Sequence, residues 1–188
     1  MQDAGILLKK ATEQKSVGDI DNAILTLKLA YKEISKTSII YPVETFLRLP
    51  LYLQAAKRNE ESWSEFHKLL DCGYPNQIKD GSVTKAEESI IYRKMRLFLQ
   101  REKRYDEAIL YGILSYLKMT VALKLQRRSS ELKCYQDKKE IQEFIRQLLK
   151  KTNKESHEQE LIDIIFNEAH SPDKIDFATI VNKLNSTV

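Results

Sequence analysis

Arg93, Arg96, Arg101 and Arg104, with Lys94 and Lys103 among them, form the densest run of one charge in the sequence. A guanidinium is planar and holds a carboxylate through two parallel hydrogen bonds, so such a run predicts recognition of anionic groups. At helical steps Arg93, Leu97, Gln100 and Arg101 fall on one side, where Leu97 would add apolar contact beside the charges. With Thr12 and Lys15 from the N-terminal helix, these residues are the candidate partner-binding set. An acidic segment of a partner protein is the ligand this chemistry suggests. The same arginines would neutralise phosphates, and Tyr92 or Tyr105 would stack on bases, so nucleic acid is the alternative partner class. Acidic residues are interspersed almost everywhere, which favours the protein partner. The plainer reading is a solvated basic face whose long stems cover the core.

Other chemistry is sparse. His67 stands near Cys72, but no second pair joins them at a metal-binding or protease spacing. His157 and His170 sit among Glu155, Glu158 and Glu160 and read as surface residues. The pairs Glu60–Glu61 and Glu87–Glu88 suit helix starts and solvated faces. The sequence has no Gly-rich phosphate loop, nucleophile elbow or kinase signature. The expectation is a non-enzymatic protein with no metal and no cofactor.

Bulk properties agree with a folded binding module. Charged residues make up 31% of the chain against 42% hydrophobic, ordinary for a soluble domain. A net charge of +4 is too mild to demand a polyanionic partner. Cys72 and Cys134 lie far apart and are expected to be free thiols. The first residues lack the apolar core of a signal peptide, and charges break every apolar stretch within a turn or two. A cytoplasmic location and no membrane association are expected.

With 5 Gly and 4 Pro in 188 residues there is little material for hairpins, and Leu, Lys, Glu, Gln and Ala fill the space between. The periodicity predicts an all-α chain of about nine helices. Ile6, Leu7, Leu8 and Ala11 mark the first, ending at Ser16–Gly18. Ile20, Ala23, Ile24, Leu27, Ala30, Tyr31 and Ile34 mark the second, opened by Asp19. Pro50 predicts a kink, or a fresh start with itself as first helical residue. The stretch from Cys72 to Ser82 reads as a loop, after which Thr84 and Glu87 make a capping-box pattern. Two long helices follow. A further single helix, with a stripe of Ile141, Phe144, Ile145, Leu148 and Leu149, spans "SSELKCYQDKKEIQEFIRQLLKK", and Ser171–Pro172 marks the start of the last.

Residues 18–31 and 103–116 are alike. "GDIDNAILTLKLAY" and "KRYDEAILYGILSY" share an acidic residue ahead of Ala, the run Ala-Ile-Leu, and Tyr eight residues after the Ala. The small and large positions are Ala23, Leu27 and Ala30 in one and Ala108, Gly112 and Ser115 in the other. Leu7, Ala11 and Gln14 precede the first; Tyr92, Arg96 and Leu99 precede the second. This pattern resembles the tetratricopeptide repeat (TPR), in which small residues let two helices cross closely. The family's hallmark Trp and Gly of the first helix are missing. The separation of Ala23 and Ala108 is not a multiple of the family's period of about 34 residues, so a degenerate middle unit with Ser62, Phe66 and Leu69 is expected.

The resemblance implies antiparallel helix pairs stacked as a right-handed TPR-like array over residues 1–128. Capping and accessory helices would follow at 129–188, or the whole would be one compact domain. It implies an adaptor whose groove binds a partner segment, with Arg93 and Arg101 facing that groove. The family's clamp for a C-terminal carboxylate needs Lys and Asn where Leu8 and Thr12 stand, so that ligand is not expected. Homodimerisation through an apolar end of the array is a third possibility.

Overall fold

A computed structural model of the chain describes residues 3–152 and 154–187. All the regular secondary structure among them is helical, with no strand. The chain forms two compact units, Met1–Ile78 and Lys79–Val188.

The first unit contains α1 (Ala4–Ser16), α2 (Ile20–Ile34), the single turn α3 (Val43–Phe46), α4 (Arg48–Ala55) and α5 (Asn59–Asp71). Asp3 opens α1, its carboxylate accepting from the backbone N–H groups of Gly5 (2.7 Å) and Ile6 (3.2 Å), which have no partner inside the helix. α1 packs on α2, α2 on α4, and α4 on α5. Their shared core is Ala11, Ala23, Ile24, Leu27, Leu49, Tyr52 and Leu53. The helix break expected at Pro50 falls earlier, at Leu47, and Pro50 occupies the first turn of α4. There its missing N–H costs nothing, because first-turn donors have no intrahelical acceptor. Ser62, from the expected middle unit, is fully buried with Phe66, and its hydroxyl donates to the Pro50 carbonyl at 2.7 Å. The loop after α5 folds back on the end of α2. Asn76 donates through its side-chain amide to the carbonyls of Ile34 (3.3 Å), Thr37 (2.9 Å) and Ile39 (2.9 Å), and Tyr74 stacks on Phe46.

The second unit holds α6 (Gly81–Arg101), α7 (Tyr105–Leu125), α8 (Ser129–Gln136), α9 (Lys138–Leu149), α10 (Glu158–His170) and α11 (Phe177–Thr187). α6 begins one turn before the expected capping box. Asp80 accepts from the N–H groups of Ser82 (2.9 Å) and Val83 (3.2 Å), so Thr84 is already inside the helix. The single helix expected over residues 129–151 is two. Asp137 is extended and its carboxylate caps α9 through Lys139 and Glu140, which stops α8 at Gln136. Pro172 begins only a short 3-10 turn, Pro172–Lys174, and Asp176 caps α11 instead.

α7 is the centre of this unit. Ile109, Ile113 and Leu117 join Ile141, Ile145 and Leu148 of α9, Leu161, Ile162 and Ile165 of α10, and Ile180 and Leu184 of α11 in one core. The division expected after residue 128 therefore falls within a single core, because α9–α11 bury their apolar faces on α7. By length and composition α7 is also apolar enough to cross a membrane, which the sequence reading had not anticipated; more than half of the relevant stretch is buried within the unit.

One turn recurs four times. Gly18, Lys57, Lys103 and Arg127 all have positive φ, between 56° and 85°, and each ends a helix. In every case the residue's own N–H donates to the carbonyl three residues back, and the next N–H reaches five back, as in Asp19 to Gln14 and Arg104 to Leu99. This is the Schellman arrangement, which satisfies the last carbonyls of the helix. The residue that follows is then tied to one three further on. Asn22 donates to Asp19, whereas Arg58, Arg104 and Arg128 donate to Glu61, Glu107 and Glu131. Five residues after the positive-φ position stand Ala23, Ser62 and Ala108, all buried.

Candidate functional site

α6 and α7 are the longest helices and cross closely. At the crossing Ser89 Oγ donates to the Ser115 carbonyl (2.7 Å) and Ser115 Oγ donates to the Ser89 carbonyl (2.9 Å). Gly112 lies one turn before Ser115, and a β-carbon there would stand 2.7 Å from a Leu148 methyl and 3.2 Å from Arg96 Cδ. The glycine thus lets α9 and the Arg96 stem approach α7 together.

A cavity of about 580 Å³ opens beside this crossing. α7 supplies Gly112, Ser115, Tyr116 and Met119; α6 supplies Ile90, Arg93 and Arg96; α9 supplies Glu140, Glu143, Phe144 and Gln147. Its aromatic wall is tied together: the Tyr116 ring centroid lies 4.7 Å from those of Tyr135 and Phe144, and its hydroxyl donates to the Tyr135 carbonyl. Burial first, with the neighbouring Tyr135 hydroxyl and the Glu140 carboxylate adding to it, pushes the Tyr116 hydroxyl well above the usual phenol range, so it stays a neutral donor. The size is that of a site for a few side chains.

Arg96 is the unusual member. Its Nε is buried and meets no acceptor. Burial first, and the positive Arg93 second, pull its guanidinium below the ordinary arginine value. Neither arginine makes a hydrogen bond or ion pair to a described residue, and the same is true of the carboxylates of Glu140 and Glu143. Buried donors are normally satisfied, so an unmatched one marks a place where a ligand oxygen is wanted.

The residues expected to act together are divided between the two units. Arg93 lines the cavity. Leu97, Gln100 and Arg101 lie farther along α6 and do not. Thr12 and Lys15 stand in the first unit and are engaged there: Thr12 Oγ1 accepts from Arg48 (2.7 Å), and Lys15 sits 4.8 Å from the Tyr52 ring centroid. The basic run is also partly neutralised, since Arg104 is held by Glu107. Sequence reasoning counted Arg96 in the basic run but, because it stands at an apolar packing position of the repeat, left it out of the partner-binding set, and did not single out Glu140 or Glu143. The signal for the first was present as an Arg pair three residues apart, which shares a helix face.

The histidines have local roles. His67 lies edge-on to Trp63, His157 approaches Glu160 at 3.3 Å, and His170 packs on Phe166. Among the described residues no three His, Cys, Asp or Glu side chains gather as a metal ion would require. No family model, curated protein or solved structure matches this chain.

Proposed function

We propose that this protein is a non-catalytic, cytoplasmic adaptor built from TPR-like antiparallel helix pairs, and that it binds a short segment of a partner protein in the α6–α7–α9 groove. The observation that carries the reading is the unmatched Arg96 guanidinium, beside Arg93, in a cavity large enough for several side chains. Ile90, Met119 and Phe144 supply apolar contact, and Met suits a surface that adapts to its ligand. The TPR-like part is supported by the recurring turn and by the small buried residues Ala23, Ser62 and Ala108 after it.

The test is capture from a cell lysate by the tagged chain, with and without nuclease, compared with an Arg93→Glu/Arg96→Gln variant of unchanged helicity. Discrete protein partners that survive nuclease and are lost by the variant are expected. Recovery that vanishes with nuclease would transfer the arginines to a nucleic-acid surface. A second reading, self-association, is favoured by exposed Leu25 and Leu29, one turn apart on α2, with exposed Ile39 and Ile40. Co-capture of a second, differently tagged copy in the same experiment would identify it.

A further inference from the structure

The charges lining the groove are segregated by helix. Arg93 and Arg96 project from α6, Glu140 and Glu143 from α9, and none of the four has a partner among the described residues. Elsewhere in this unit arginines and glutamates within reach of one another pair. Arg104 meets Glu107, Arg128 meets Glu131 at 2.6 Å, and Arg146 of α9 itself meets Glu158 at 2.9 Å. In the groove both signs line one cavity without pairing, together with apolar and aromatic side chains.

Building on the peptide-binding reading, the geometry points to a ligand of two charges: a segment with a carboxylate side chain for Arg93 and Arg96 and, farther along, a Lys or Arg for Glu140 and Glu143. The formal charges of the four residues cancel, so a segment of matched opposite charges satisfies the whole lining. A purely acidic one leaves two glutamates facing it. For the same reason the anion is a carboxylate and not a phosphomonoester. Glu140 and Glu143 repel a phosphomonoester at about −1.5 to −2 charge more strongly than a singly charged carboxylate, which a guanidinium still holds through two parallel hydrogen bonds. α6 and α9 each pack on α7 and face one another across the cavity, so a segment lying across it meets the two pairs of charges several residues apart.

The experiment pans the full-length protein against a phage-displayed library of random dodecapeptides, then measures the consensus as a synthetic peptide by calorimetry. Enriched sequences are expected to carry Asp or Glu together with a Lys or Arg several residues away. Arg93→Gln and Glu143→Gln both alter exposed residues, and each is expected to weaken the consensus peptide about tenfold. Replacing its acidic residue by phosphoserine is expected to weaken binding as well. Enriched peptides that are acidic without a base, or unaffected by Glu143→Gln, would overturn the two-charge ligand while leaving peptide binding intact. Tighter binding of the phosphoserine peptide would overturn the choice of carboxylate. Failure to enrich any sequence would remove the peptide-binding reading and this inference with it.

Discussion

Asn76 shows how much one side chain can hold. Its backbone is in the left-handed region at φ 60°, which Asn tolerates better than most residues, and its amide serves three carbonyls at and beyond the end of α2. An Asn76→Ala change removes those bonds and adds strain, and should lower stability by about 1–2 kcal/mol in urea denaturation. An unchanged midpoint would mean that the loop does not pin α2. None of this was legible beforehand, because an Asn in a Gly- and Pro-containing stretch signals a turn and not what the turn grips. Arg93 was legible as a binding residue because charge and helical spacing suffice to expose it. Arg96 was legible only as a member of the basic run and not as a groove residue, since its position in the repeat called for an apolar side chain and its partial burial depends on Gly112 making room.

At the scale of elements, the helices were readable and several of their ends were not. Period and composition locate α2, α6 and α7 well, but Asp80 and Asp137 act as caps without the fuller pattern that identifies one in sequence. The repeated turn was visible only where it is followed by Ala, at Ala23 and Ala108. The copy at Lys57 leads to Ser62, aligned only as part of a degenerate unit, and the one at Arg127 leads to Leu132, so neither stands out. Three of these turns hold exposed Lys57, Lys103 and Arg127 at positive φ, where a β-carbon is penalised and glycine is not. Replacing any one with Gly should raise stability by about 0.5–1 kcal/mol, measurable as a higher denaturant midpoint at constant slope. A fall instead would show that the Lys or Arg side chain contributes more than its backbone strain costs.

For the whole molecule, the all-helical class followed from scarce Gly and Pro and from helical periodicity. The grouping into two units did not, because it depends on α9–α11 choosing α7 as their shared surface. Acid sensitivity is also a property of the whole chain. The Arg partners of Glu61, Glu107 and Glu131 lower their carboxyl values, to about 2 for Glu131, with Ser130 assisting there; hydrogen bonds to the caps Asp80 and Asp176 lower theirs. These groups stay ionised in the folded chain while the unfolded chain takes up protons near the ordinary glutamate value of 4.5. The unfolded state thus binds more protons, and stability falls as pH drops from about 5 toward 2. A melting temperature that declines over this range, and declines less in Glu131→Gln, is the expected result; equal declines would show that the Arg128–Glu131 pair does not form in solution. The effect is modest per group because the turn pairs are exposed and screened by solvent.

The strained turns have an evolutionary side. Most substitutions destabilise a protein, and a chain near its threshold can accept few of them. Here three single changes to glycine, far in sequence from Glu140 and Glu143, hold stabilisation in reserve. A lineage that drew on them could tolerate costly replacements along α6 and α9, and so retune which segments the groove selects without losing the fold.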